Sequence, residues 1–175
     1  VTADFLADQT NICLGDVISF TNNSIGGVSS YEWNFGENAG VNSTDIDPVY
    51  TYTTPGTYSV TLRANNAACG DTAVFTNYIT VNPSPVAAFA PDRTTDCQPG
   101  NPFIFTDQTV GATAWAWTFG DGATSTQQSP THTYAANGTY TVCLIASNAT
   151  GCVDTYCSDI VIAPVNVNFS RVPAD

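Results

Sequence analysis

The chain has no methionine, a single histidine and only three basic residues, Arg63, Arg93 and Arg171, against fifteen acidic ones. Each scarcity removes a class of function. At a formal net charge of -12 there is no cationic surface to neutralise phosphates, so nucleic acid is excluded as a partner. No apolar run approaches the ~20 residues that a membrane helix needs, and no membrane insertion is expected. Helical periodicity is nearly absent, and the six cysteines lack zinc-type spacing. No signal peptide is legible, so an exported protein is expected to have Val1 as its mature start. Charged residues make up 10% and hydrophobic ones 43%, a balance that describes a folded chain rather than a disordered one. The acidic excess suits solubility and mutual repulsion of long surface molecules.

What the sequence does have, it has twice. Tyr31-Glu32-Trp33-Asn34-Phe35-Gly36 returns as Trp115-Ala116-Trp117-Thr118-Phe119-Gly120. Pro48 to Tyr58 returns as Pro130 to Tyr140, and Val60-Thr61-Leu62 as Val142-Cys143-Leu144. A period near eighty residues is too long for a solenoid unit and long enough for an independent small domain. The domains are expected at 1–83 and 84–163, with 164–175 as the first strand of a third repeat or a strand between subunits. Neither half has room for a large enzyme site.

Alternation of period two is strong. Tyr58, Val60, Leu62 and Ala64 fall on one face of a strand, as do Tyr140, Val142, Leu144 and Ala146, while Trp33 with Phe35 and Trp117 with Phe119 share faces of others. These are expected core residues. Gly- and Pro-rich turns punctuate the runs at Gly36, Thr54-Pro55-Gly56, Gly120-Asp121-Gly122 and Asn137-Gly138, the spacing of an antiparallel sandwich. The run Trp117 to Gly122, then His132-Thr133-Tyr134, then Gly138 to Val142 closely resembles the PKD domain, and the resemblance covers nearly the whole chain. It implies an all-β chain of two tandem immunoglobulin-like, PKD-type β-sandwiches plus a C-terminal orphan strand, acting in spacing, adhesion or protein contact, with no catalytic residues. Module one departs from the pattern at Gly36-Glu37-Asn38-Ala39-Gly40, which replaces the compact turn, and at Tyr50, which stands where module two has His132.

A hydrolase needs a nucleophile and base, or paired carboxylates, in one cleft. A position that accepts His132 in one copy and Tyr50 in the other reads as packing or hydrogen bonding, and Asp121 reads as a turn residue bonding its own backbone. No enzyme and no cofactor are expected. Calcium stays open because Asp4, Asp8, Asp16, Asp45 and Asp47 supply oxygen ligands and some proteins of the resembled family bind it, although no EF-hand pattern is present. Tyr31, Trp115 and Tyr156 are the aromatics outside the core pattern, and Trp115 reads as the rim of the core rather than a sugar platform. Asn-x-Ser/Thr triplets at Asn22, Asn42, Asn137, Asn148 and Asn168, with Asp71-Thr72-Ala73, mark candidate glycosylation sites at those asparagines and at Thr72.

Six cysteines in such a chain point to an oxidising, extracellular or cell-surface location. Cys143 and Cys157 flank the hairpin tip from Asn148 to Cys152 symmetrically, which places them opposite each other and within disulfide reach. The other four form two equivalent positions, Cys13 with Cys97 and Cys69 with Cys152. Pairing within each module, Cys13 with Cys69 and Cys97 with Cys152, is one alternative. The topology implied by the resemblance puts the two positions at opposite ends of a module, roughly 20 Å apart for a six-residue strand and beyond disulfide reach. That favours Cys13 with Cys152, leaving Cys69 and Cys97 for neighbouring modules.

The tail Val165-Asn166-Val167-Asn168-Phe169-Ser170 repeats the openings at Pro85 to Ala90 and Ala3 to Phe5. Val165, Val167 and Phe169 are therefore expected to serve assembly. The reading that follows is a structural or adhesive repeat of an extracellular fibre or giant surface protein, self-assembling head to tail. The alternative is an accessory carbohydrate-binding or spacer region of a secreted hydrolase. The partners are then the chain's own copies or neighbouring repeats in the first case and surface glycans in the second.

Overall fold

A computed structural model describes residues 1–164. The chain divides into two compact units, Val1–Pro83 and a second that starts at Ser84. Module one consists of β1 (Phe5–Ala7), β2 (Asn11–Cys13), β3 (Val17–Asn22), β4 (Ser30–Asn34), β5 (Val49–Thr51), β6 (Gly56–Asn65) and β7 (Gly70–Asn82). One sheet runs β1-β3-β5 and the other β2-β7-β6-β4. Module two consists of β8 (Phe89–Pro91), β9 (Thr95–Asp96), β10 (Pro102–Asp107), β11 (Ala114–Thr118), β12 (Thr124–Ser125), β13 (Thr131–Thr133), β14 (Gly138–Ser147) and β15 (Val153–Ile162). Its sheets run β13-β10-β8 and β12-β11-β14-β15-β9. No helix occurs among the described residues.

The first strand of each module changes sheets, a feature that alternation in the sequence does not reveal. β1 pairs antiparallel with β3, whereas β2 runs parallel to β7. β8 pairs antiparallel with β10 and β9 runs parallel to β15 in the same way. The crossover in module one passes Asp8, whose N–H still donates to Ser19 O at 3.0 Å, to Thr10, whose carbonyl already accepts from Thr80 N at 2.8 Å. One chain segment thereby supplies an edge partner to both sheets, which reduces exposed edges.

Alternation decides what is buried. On β6, Val60, Leu62 and Ala64 have no exposure at all, and Val142, Leu144 and Ala146 repeat this on β14. Facing them across each sandwich are Phe5, Ile18 and Phe20 in module one and Phe89, Phe103 and Phe105 in module two. Fully burying a side chain of this size stabilises by about 1.5 to 3 kcal/mol. Trp33 and Trp117 fill the middle, each indole N–H donating to a backbone carbonyl, Asp45 O at 2.9 Å and Gln127 O at 2.8 Å. The buried polar atom of each indole is thus satisfied, as low-polarity surroundings require.

Phe-Gly follows each tryptophan strand for a steric reason. Gly36 and Gly120 have φ of +85° and +82°, and an added Cβ would lie 2.5 Å from Ser59 O and 2.8 Å from Thr141 O. Only glycine supplies the positive φ without pushing the long hairpin away.

Candidate functional sites at the module poles

The long hairpin sets the ends of each module. In module one it runs from Gly56 opposite Val81 to Asn65 opposite Gly70. The chain comes in beside Gly70, where Ala3 N–H donates to Asp71 Oδ2 at 2.9 Å, and it leaves at Asn82, whose carbonyl accepts from Leu14 N at 2.8 Å. Module two repeats this. Ala87 N–H donates to Asp154 Oδ2 at 2.8 Å, Ser147 lies opposite Val153 and Gly138 opposite Ile162, and Ala163 N–H donates to Asp96 O at 2.9 Å. Each module therefore has a leading pole and a trailing pole separated by a ten-residue ladder, about 30 Å of strand.

The cysteines divide between these poles. Cys69 adjoins Gly70 at the leading pole, and Cys13 lies opposite Asn82 at the trailing pole. Cys152 immediately precedes Val153 at the leading pole of module two, and Cys97 follows Asp96, which lies opposite Ile162, at the trailing pole. Pairing within a module would have to cross the whole ladder, since a disulfide requires Cα atoms within about 7 Å. The separation is larger than a six-residue strand suggests, because the hairpin strands are ten residues or longer. Cys143 and Cys157 form a disulfide across the middle of the β14–β15 ladder, with Cα atoms 4.1 Å apart. Cys69 and Cys97 carry free, exposed thiols.

An acidic side chain and a ring meet at the turn after each tryptophan strand. In module two, His132 stacks on Phe119 with centroids 4.2 Å apart and its Nε2 lies 2.8 Å from Asp121 Oδ2. Asp121 also accepts from Ala123 N–H at 3.0 Å. Burial would raise the Asp121 carboxyl, but the Ala123 N–H and His132 hold it below the ordinary value. In module one, Tyr50 packs tilted against Phe35 at 4.3 Å and its hydroxyl donates to Glu37 Oε2 at 3.0 Å. Glu37 Oε1 accepts from Thr53 N–H at 2.7 Å and from Thr54 N–H at 2.8 Å. Burial again works against the Glu37 charge, and the bonds from Thr53, Thr54 and Tyr50 outweigh it and lower its pKa. The longer Gly36 to Gly40 turn thus keeps the same acid-to-ring contact with a longer acid. The pair fixes a turn, with His132 stacked on Phe119 and edge-on to Tyr134 at 4.7 Å.

The tyrosines just beyond, Tyr52 and Tyr134, carry no mark in the sequence beyond their place in the repeat. Each is almost wholly buried and donates its hydroxyl to a backbone carbonyl, Phe35 O and Phe119 O, both at 3.0 Å. Burial pushes both phenols well above the ordinary range.

The remaining candidates are dispersed. Asp8, Asp16 and Asp47 accept from the backbone N–H groups of Ser19, Cys13 and Asn22, Asp45 accepts from the Ser43 hydroxyl, and Asp4 offers its backbone carbonyl to Asn23 N. No group of three or more His, Cys, Asp or Glu able to hold a metal occurs among the described residues. Trp115 packs against its core with its indole N–H buried and unpartnered, Tyr31 packs against the other core, and Tyr156 sets its edge against Phe89 at 5.2 Å. Each of the three lies against core residues of its own module. Among the glycosylation candidates, Thr72 and Asn137 are exposed, while Asn22, Asn42 and Asn148 are half-buried and use their side-chain carbonyls to accept from Ser24, Phe35 and Thr150 N–H groups. Asn168 and the assembly residues Val165, Val167 and Phe169 lie outside the described residues.

Known proteins share this pattern in part. A microbial collagenase of Vibrio alginolyticus is 41% identical over 59 residues, 34% of this chain and 7% of that protein. The collagenase ColA of Bacillus cereus is 50% identical over 38 residues, 22% of this chain and 4% of that protein. The chain therefore spans less than a tenth of these curated relatives. Among solved structures, the PKD1 domain of the Vibrio cholerae metalloprotease PrtV is 27% identical with a TM-score of 0.41, covering 46% of this chain and 98% of that one. The model of the PKD domain matches residues 2–81 and again residues 82–163. With both modules matched from end to end, the chain belongs to the PKD domain family, as two tandem members.

Proposed function

We propose that the two modules are a non-catalytic spacer in a protein exported by a bacterium, an accessory region that holds a hydrolase's catalytic part at a set distance from its other parts. The observation that carries this reading is the separation of the leading and trailing poles by the full length of a ten-residue strand in both modules. A chain that comes in at one end and leaves at the other gains length with each repeat, and a closed core makes that length stiff compared with a flexible linker. The disulfide Cys143–Cys157 suits an oxidising location outside the cytosol. The names of the relatives, both collagenases, suggest a hydrolase of matrix protein as the host.

The test is co-sedimentation of the 175-residue chain with insoluble collagen, cellulose and chitin, together with hydrolysis assays on the same materials. The expected result is that the chain stays in the supernatant and cleaves none of them. Saturable binding would turn the spacer into a substrate-binding module, and cleavage would end the non-catalytic reading.

A second reading is favoured by the free thiols at opposite poles, Cys69 and Cys97. It is a structural or adhesive repeat of an extracellular fibre or giant surface protein, whose copies join head to tail through Val165, Val167 and Phe169. Such a heterologous contact does not close and propagates as a filament. Electron micrographs of concentrated protein with and without residues 165–175 separate the two readings, since polymer that depends on those residues belongs only to the second.

A further inference from the structure

The fold demands glycine at the start of each long hairpin, and the two modules differ in the residue before it. Tyr140 stacks on Tyr134 with centroids 4.1 Å apart, and Tyr58 stacks on Tyr52 at 4.4 Å. Each outer ring also covers the first residue of its own strand. A Cβ added to Gly138 would lie 3.3 Å from Tyr140 Cζ, and one added to Gly56 would lie 3.2 Å from the Tyr58 hydroxyl oxygen. The hydroxyls reach back over the turn, Tyr140 donating to Ala136 O at 2.9 Å and Tyr58 to Thr54 O at 2.7 Å. A ring held by stacking and by a hydrogen bond has little freedom to move aside for a side chain. The preceding residue is Pro55 in module one and Asn137 in module two.

Asn137 is the one asparagine of the chain that precedes a glycine, and that dipeptide has its own chemistry. A glycine presents its backbone nitrogen without a Cβ to obstruct approach, so the neighbouring carboxamide carbon is open to attack by it. Elsewhere the structure restrains the carboxamide. Asn22, Asn66 and Asn148 each accept, through Oδ1, from the N–H two residues on, in Ser24, Ala68 and Thr150. Asn137 is exposed, and no such bond holds it among the described residues. Its neighbour Gly138 lies opposite Ile162 in the last pair of the β14–β15 ladder. The end pair of a ladder opens most readily, and opening frees the nitrogen that attacks.

We propose that Asn137 with Gly138 is a site of spontaneous modification, at which module two converts with time to a form carrying aspartate or isoaspartate. The Gly138 nitrogen loses its proton and bonds to Asn137 Cγ, the Cγ–Nδ2 bond breaks, and ammonia leaves with that proton. One water molecule opens the cyclic imide that remains. Breaking the new bond from Gly138 N to Cγ gives aspartate, and breaking the original peptide bond gives isoaspartate. Nothing is oxidised or reduced; water enters and ammonia leaves. Isoaspartate lengthens the main chain by one methylene between Ala136 and Gly138, the stretch that Tyr140 holds at both ends. The bond to Ala136 O and the pairing with Ile162 cannot both survive that insertion. Either product adds a negative charge to a chain already at -12. Pro55 has no carboxamide, so module one is exempt at this position, and the two modules of one chain age at different rates.

Timed incubation of the 175-residue chain at mildly alkaline pH tests the site. Peptide mapping should find the Asn137 peptide gaining about 1 Da ahead of every other asparagine peptide, and protein isoaspartyl methyltransferase should label the same peptide. Unfolding in denaturant should show the module two transition falling as isoaspartate accumulates while the module one transition stays. Asn137→Pro, which installs the residue of module one, should abolish both the mass gain and the loss of stability, and Asn137→Gln should do so if the proline variant does not fold. Freshly prepared Asn137→Asp carries the charge without the longer main chain and should keep the parent's transition. An Asn137 peptide that stays unchanged in the folded protein and converts only after denaturation overturns the proposal, as does earlier conversion at another asparagine. A module two transition that holds in isoaspartyl protein overturns the link to stability. Binding to collagen or polysaccharide, which would defeat the spacer reading, leaves this chemistry unchanged, so the two failures are distinguishable.

Discussion

Where module two ties its long hairpin with Cys143 opposite Cys157, module one has Thr61 opposite Val74. Where the β14–β15 ladder runs unbroken, the β6–β7 ladder slips between Tyr58 and Val60, so that Tyr58 faces Ile79 but Val60 faces Phe75. The two extra residues of the bulge are accommodated by Asn77 at φ of +52°, a left-handed conformation asparagine tolerates better than most. Asn77 N–H donates to Ser59 Oγ at 3.0 Å. The bulge also changes what covers Phe5. Phe75 stacks on it at 4.4 Å and Tyr78 sets its edge at 5.8 Å, while the equivalent Phe89 meets Tyr156 at 5.2 Å. One module closes its outer sheet with aromatic cover and the other with a covalent tie. The interior tolerates little variation because its side chains interdigitate at crystal-like density. The periphery can reach similar closure by different chemistry.

The comparison predicts equal responses in the core and unequal ones at the periphery. The largest effect is Trp33→Ala against Trp117→Ala. Each should cost about 3 to 5 kcal/mol and lower one of two unfolding transitions in denaturant, leaving the other in place. Loss of both transitions from either change would mean that the modules share a core.

The next effect separates the modules. Replacing both Cys143 and Cys157 with serine should destabilise module two by about 3 kcal/mol, as expected for a loop of this size, and leave the module one transition unchanged. The converse pair, Thr61→Cys with Val74→Cys, should raise the module one transition if the ladders match in geometry as well as in register.

A smaller, pH-dependent contrast concerns Glu37 and Asp121, whose folded-state pKa values both lie below the ordinary ones. A carboxylate of this kind adds stability that is present above its unfolded pKa, ordinarily about 4, and is lost as pH falls through the folded value. Thermal melts between pH 6 and pH 3 should show module one losing stability over that range. Glu37→Gln should flatten the loss in module one and Asp121→Asn the corresponding part in module two. A mutant whose pH profile matches the parent would show that the carboxylate contributes nothing to the folded state.

The smallest expected effect is an exchange of rings, Tyr50→His together with His132→Tyr. Both rings pack against a phenylalanine and both reach an acid, so each module should change by less than about 1 kcal/mol in calorimetry. A larger loss in either one would show that the acids, one methylene different in length, are matched to their rings.

Much of this was legible before any coordinates. Repetition exposed two modules, alternation picked out Val60, Leu62, Val142 and Leu144, and the symmetry of Cys143 and Cys157 about their hairpin tip placed them opposite each other. The interchange of Tyr50 and His132 between copies marked that position as packing or hydrogen bonding, and the structure shows both. The change of sheet between β1 and β2 was not legible, because a strand alternates in the same way whichever sheet it joins. Nor was the slip at Ser59, since the bulge preserves the apolar rhythm on both sides. The split of the pole cysteines was anticipated from the resemblance, but at a distance too short by several residues.

The sequence by itself determined the number of modules, the all-β class and the identity of the core, because these depend on local periodicity and on which side chains water rejects. Only the tertiary structure decided the ladder register, the switch of the first strand between sheets, and the full strand length that keeps Cys13 from Cys69 and Cys97 from Cys152. These depend on which distant segments share hydrogen bonds, and a backbone N–H or C=O carries no side-chain label that would name its partner in advance.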